Sequence, residues 1–313
     1  MLVTDRKGAC SIGIDVCRDG LTLAQLARHR DEAVLLAASR VSCPDEVAFG
    51  TPEWQRWAVE ALRPIIGTGT FRGKGITTAL PAGEVFINCI ECPAQANANS
   101  ENEVFSAVAR KLPSGWVRKN TIIKCIRTEQ KRMVVMAAER TAIDRHLAIY
   151  ERAGLAIKSI SIWPVAVTEC YATLFARRQC DLTAVVMLVA LQRDRISMVV
   201  SRHRSLLYAS SVPVCQQKAQ DKEYLGKLTA ALANCRCEFS FLYKDTPIER
   251  LIFFSGPTVD PHLCQTLATQ MEIRAQLADC LQAVRTTDSN HSDPLVQGGD
   301  RANWVFSFGL SLC

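Results

Sequence analysis

The stretch IGIDVCRDGLTLAQL, residues 12–26, holds the side chains best placed to do chemistry. A strand ends near Asp15, a tight turn follows at Arg18-Asp19-Gly20, and a second strand returns. A phosphate-binding hairpin begins in this way: the turn aims backbone N–H groups at an anion, and the carboxylate helps hold a cation. Yet Cys17 and Arg18 stand where such a turn would carry a glycine and a small hydroxyl residue. A Cβ at position 17 crowds a phosphate, whereas a guanidinium at position 18 suits one. The turn alone leaves both readings open, and Asp15 has a plainer role available as a cap on the backbone amides near Asp19-Gly20.

Other reactive residues are scattered. Of the 14 cysteines only Cys89/Cys92 (CIEC) and Cys235/Cys237 (CRC) are close pairs, and they lie far apart in the chain. A zinc site needs four ligands at knuckle-like spacing, so apolar packing of free thiols is the expectation, with Cys125 and Cys170 set among apolar neighbours. Histidines 29, 146, 203, 262 and 291 stand beside no obvious nucleophile, and Ser255 in FSGP lacks the flanking pattern of a hydrolase elbow.

Composition excludes several classes. Hydrophobic residues make up 48% and charged residues 22% of the 313, as in ordinary globular proteins. The net charge of +6 is spread without a basic stripe, which argues against nucleic acid. No apolar run approaches the roughly 20 residues of a membrane span, and the N-terminus carries no apolar signal segment, so a cytoplasmic protein is expected.

The elements that must position these residues form two similar halves. Three strands in a meander, residues 11–16, 21–28 and 32–41, open the chain; residues 21–28 alternate apolar and polar like a strand with one buried face. A helix at 52–65 and a strand at 75–80 follow. Residues 83–155 then read as a β-α-β-β-α insertion, its helices opened by capping pairs Ser100/Glu103 and Thr141/Asp144 and the second stopped by Gly154. A strand and a helix lead to a second meander from 183, a helix at 216–239, the strand RLIFF, a Ser255-Gly256 turn, a further helix and strand, a polar loop at 286–300 and a closing apolar helix.

In this order, IGIDVCRDGLTLAQL, ITTALPAGEVFINCIECPA, MVVMAAERTAIDRHLAIYERAGL, LIFFSGP and FSFGLSL resemble the PilM family of type IV pilus assembly, relatives of FtsA and of type II secretion GspL proteins. The resemblance spans almost the whole chain. It implies an α/β, actin-like (ribonuclease H-like) fold of two lobes, each on a five-stranded sheet, with a nucleotide cleft between them. The expected lobes are 1–180, carrying a small α+β subdomain at about 83–155, and 181–297, with a C-terminal helix at 298–313 packing back on the first.

Set against the family, all three nucleotide turns are altered. The first has Cys17 and Arg18, with Thr22 in place of a common lysine; the family's Asp-x-Gly falls on Leu188-Val189-Ala190; and Ser255-Gly256-Pro257-Thr258 has one glycine where two or three are usual. Proline also removes an N–H donor there. The expectation is therefore a non-catalytic scaffold with no metal, no catalytic residue and no bound cofactor. Asp15, Cys17, Arg18, Ser255 and Gly256 would line a degenerate cleft, and ATP with Mg is the ligand the fold would otherwise take.

The resemblance also implies partners: the cytoplasmic tail of a PilN-like inner-membrane protein, and the motor and platform proteins of the pilus. Location would be cytoplasmic, at the inner membrane through the partner, with self-association left open. Val104, Phe105 and Val108 of the insertion's first helix are the candidate contacts, with core packing the competing reading of that stripe. Two rivals remain: a nucleotide-binding ATPase or kinase-type protein of the same fold, and a thiol metal or redox protein built on CIEC and CRC.

Overall fold

The structure, a computed structural model, describes residues 9–29, 32–92, 101–214, 222–256, 259, 261–286 and 303–313. Strands β1 (Ala9–Cys17), β2 (Gly20–His29) and β3 (Glu32–Ser42) form the antiparallel meander. Its first turn is the two-residue loop at Arg18 and Asp19, closed by the pair Cys17–Gly20. Gly20 has φ +140°, and a Cβ there would fall 2.0 Å from the Val41 carbonyl oxygen, so only glycine fits.

β2 departs from its alternating pattern, because every residue from Gly20 to Leu26 is buried. Leu21 and Leu23 pack in one core with α1 (Pro52–Gly67), while Ala24 and Leu26 pack in another on the opposite face. Gln25, polar but buried, donates to the Cys10 and Arg72 carbonyls at 3.1 and 2.9 Å, so its polarity is satisfied internally.

β4 (Gly75–Ala79) joins β1 in parallel. The insertion follows, with β5 (Phe86–Glu91), α2 (Glu101–Val108), β6 (Thr121–Arg127) and β7 (Arg132–Glu139). Its sheet has the order β5-β7-β6, which leaves β5 at an edge.

Helix α3 (Arg140–Arg152) corrects two expectations. Its N-cap is Glu139, which makes no side-chain capping bond, so Thr141 lies inside the first turn and the Thr141/Asp144 box does not form. Ile149 and Tyr150 of this helix join the core containing Ile12, Ile14 and Trp54, so α3 packs with the first sheet. Gly154, at φ +76°, does end the helix. Beneath it Thr78 donates to the Ile14 carbonyl at 3.1 Å and lies 2.6 Å from the Tyr150 hydroxyl and 3.1 Å from His146 Nε2. Burial holds the His146 ring down to about 4, which keeps it neutral.

β8 (Ala156–Ser161) and α4 (Trp163–Leu174) lead to α5 (Gln179–Thr183), whose buried Asp181 pairs with Arg250 at 2.8 Å. The second half contains β9 (Val185–Leu191), β10 (Arg195–Arg202), β11 (Ser205–Pro213), α6 (Lys222–Leu242), β12 (Arg250–Phe254), α7 (Pro261–Met271) and β13 (Arg274–Ala278). Its five-stranded sheet runs β11-β10-β9-β12-β13.

After α8 (Cys280–Ala283) comes β14 (Arg285–Thr286), which crosses to the first sheet and pairs in parallel with Val34 and Leu35. That sheet therefore has six strands, β14-β3-β2-β1-β4-β8, rather than five. The closing helix α9 (Val305–Leu312) is buried along its whole length. One apolar cluster runs through both halves, from Leu26 and Leu35 through Trp163 and Tyr171 to Val186, Leu188, Phe254 and Phe308. Ser100, Pro257, Thr258 and residues 287–300 of the loop expected at 286–300 lie outside the described residues, while Thr286 falls in β14.

Candidate functional site

Where the two meanders face each other, Asp15, Cys17 and Arg18 line a cavity of about 280 Å³ together with Gln192, Asp194 and Arg195 of the second half. Of the sequence candidates, the structure brings Asp15, Cys17 and Arg18 to this cleft. Ser255 and Gly256 stand beyond the end of β12 and are not among its lining residues; Ser255 N–H donates to the Ala278 carbonyl at 2.9 Å.

Burial dominates the electrostatics of Asp15 and Cys17. Burial pushes the Asp15 carboxyl up to about 7, with the nearby Asp19 adding to the shift and the Val16 amide opposing it. Burial and these two carboxylates push the Cys17 thiol well up, and its Sγ points at the Gly20 carbonyl at 3.6 Å. Leu188, expected at the family's second carboxylate, is 0% exposed within the apolar cluster common to both halves. From the turn after β9, Arg193 crosses to the first half. Its Nη1 lies 2.9 Å from Asp45 Oδ1, and its Nε lies 4.0 Å from Asp19 Oδ1. Arg18 is exposed at the rim.

The thiol pairs do not form a centre. Cys89 and Cys235 are buried, Cys92 is half-buried and Cys237 is exposed. Cys125, expected to pack among apolar residues, is also exposed. Among the described residues no group of three or more His, Cys, Asp or Glu is placed to hold a metal ion.

The partner stripe needs correction as well. Val104 and Val108 are 4% and 0% exposed, in the insertion's own core with Ile123, Met133 and Val135. Phe105 is half-buried beneath the Arg118 guanidinium, 5.8 Å from its ring centre. The stripe is packing.

A larger concavity, about 790 Å³, opens between the insertion and the second half. Its walls are β5 and β11, the edge strands of their sheets, and its rim carries Lys111 and Trp116 on one side and Phe241 on the other. The insertion is fastened beside it: Tyr243 donates to the Leu207 carbonyl at 3.0 Å, meets Thr128 at 2.6 Å, and lies under the Arg132 guanidinium. An ion pair between Glu129 and Arg202 adds a second tie. Sequence reading placed the partner site on the insertion but missed the groove's other wall, which comes from the distant segments β11 and α6. One signal was available: Leu228, Leu232, Cys235 and Phe239 form the buried stripe of α6, and Phe241 lies off it, 77% exposed.

No protein-family profile matches the sequence, and no curated protein matches it. Among solved structures, a PilM–PilN type IV pilus biogenesis complex matches at 15% identity with a TM-score of 0.78, over 96% of this chain and 97% of that one. The cytoplasmic domain of EpsL, an inner-membrane component of the type II secretion system of Vibrio cholerae, matches at 12% identity and TM-score 0.50, over 86% and 84%. A Bacteroides thetaiotaomicron protein with an actin-like ATPase fold matches at 10% identity and 0.51, over 95% and 99%. The chain thus has the actin-like fold, in a form similar to the PilM–PilN structure along nearly its entire length.

Proposed function

We propose that the chain is a non-catalytic, actin-like scaffold of type IV pilus or type II secretion assembly that binds the cytoplasmic tail of a PilN-like inner-membrane protein. The observation that carries this reading is the likeness to the PilM–PilN structure over 96% of the chain. The groove between β5 and β11 supplies a surface of the right kind, since an extended tail can pair with a free strand edge and anchor an apolar side chain beside it. Such a scaffold would sit at the cytoplasmic face of the inner membrane through its partner and meet motor and platform proteins there. Among the described residues no helix is long and apolar enough to cross a membrane. We place the lobes on either side of residue 180, with the insertion ending at β7 and α9 returning to the first lobe.

The cleft supports a scaffold over an ATPase. Leu188 offers no ligand, and Arg193 is engaged by Asp45. These residues do not fit a Mg-nucleotide.

The test is fluorescence anisotropy of the full chain with a synthetic peptide of the PilN-like protein's cytoplasmic tail. Micromolar binding is expected, and Phe241→Asp should weaken it about tenfold or more, as for an aromatic anchor. Because Phe241 is 77% exposed, its melting temperature should not move. Absence of tail binding would overturn the reading.

A further inference from the structure

The groove's charges fall into two groups. Its two carboxylates are engaged: Glu84 pairs with Arg145 at 2.5 Å, and Glu238 accepts the Tyr208 hydroxyl. Its two cations are not balanced. Among the described residues no carboxylate lies within ion-pair distance of Arg195 or Lys111. Arg195 has only a 3.4 Å contact with the Ser211 hydroxyl, and Lys111 only Asn88 Oδ1 at 3.3 Å.

Arg195 is half-buried, and its guanidinium lies against Gly83, where a Cβ would come within 2.9 Å of Nη2. A partly desolvated guanidinium with no carboxylate is an open bidentate donor site. Arg195 also lines both the groove and the cleft, at the seam between the insertion and the two halves.

We infer that the groove recognises an extended segment of a partner protein by a carboxylate side chain seated on Arg195, with Lys111 adding to the attraction and an apolar neighbour packed on Phe241 and Trp116. The partner's chemistry follows from charge complementarity: Arg145 neutralises Glu84 while Glu238 keeps its charge, so Arg195 and Lys111 leave the groove one positive charge in excess, which the occupant's carboxylate balances. This inference rests on the partner-scaffold reading and specifies which side chain of the partner is read.

The experiment is selection of a random twelve-residue peptide library on phage against the immobilised full chain, followed by anisotropy with the enriched peptide. Enriched sequences should carry Asp or Glu at one fixed position beside an apolar residue. Replacing that acid by its amide, or Arg195→Gln in the chain, should each weaken binding roughly tenfold or more. The two changes together should be no worse than either alone. Arg195→Lys should restore part of the affinity, and unchanged melting temperatures show that the variants fold.

Enrichment of sequences without an acid, no enrichment, or equal affinity for the wild type and Arg195→Gln would overturn the inference. If the PilN-like tail still bound in any of these cases, the scaffold reading would survive. Loss of tail binding alone would overturn that reading and leave the acid-specific groove.

Discussion

Gly309→Ala should lower stability by about 3 kcal/mol or more, enough to shift most of the chain's melting transition. Helix α9 is wedged between β1 and α4 with no room for a Cβ. At Gly309 that atom would lie 1.9 Å from the Ala166 carbonyl oxygen, and at Gly13 on the facing strand 2.0 Å from the Ser307 carbonyl oxygen. Both obstacles are backbone, which cannot rotate away as a side chain can. The helix is also tied by Ser311, which donates to the Ser11 carbonyl at 2.8 Å and accepts from Leu26 N–H at 3.0 Å. Gly226→Ala in α6 is the control. That glycine has nothing within 4 Å of an added Cβ, so the change should be neutral or stabilise by about 0.5–1 kcal/mol. Thermal melts of both variants decide the matter, and a Gly309→Ala protein as stable as the wild type would show that α9 is not wedged tightly against β1 and α4.

Asp15→Asn should stabilise the protein, and more so at pH 8 than at pH 5. The Asp15 carboxyl moves from its ordinary 3.8 to about 7 on folding. Below the unfolded value both states hold the proton and nothing is lost. Between 3.8 and about 7 only the folded state keeps it, so stability falls as pH rises through that window and levels off above it. At about 1.4 kcal/mol per pH unit the full cost is on the order of 4 kcal/mol at pH 8, and less than half of that at pH 5. Asparagine keeps the shape and never ionises. Chemical denaturation at the two pH values measures the difference. A variant less stable than wild type at pH 8 would mean that Asp15 is held as a carboxylate, as a cation-holding site requires.

The meanders, the insertion's strands and most helix positions were legible in the sequence because period and turn residues mark them locally. β2 shows the limit of that logic: its alternation is real, yet its two faces enter two different cores, which local pattern cannot reveal. Val104 and Val108 illustrate the same limit, since a stripe looks alike whether it meets its own sheet or a partner. Thr141 followed by Asp144 has the form of a capping box, but the chain leaves β7 directly into α3 and enters the helix earlier, at Arg140. β14 is too short to carry any periodicity. Asp15, Cys17 and Arg18 could be placed at the cleft from the hairpin together with the family resemblance. The groove's second wall could not, because it depends on how β5, β11 and α6 meet in space.

If this actin-like chain works through partners and not through a nucleotide, its cleft should leave Mg-ATP unbound. An isothermal titration of the nucleotide-stripped full chain with Mg-ATP, repeated with Mg-ADP, is decisive. No binding heat is expected up to millimolar nucleotide. Micromolar binding would contradict this reading, restore the cleft as a nucleotide switch, and make Arg18 at its rim the first residue to replace.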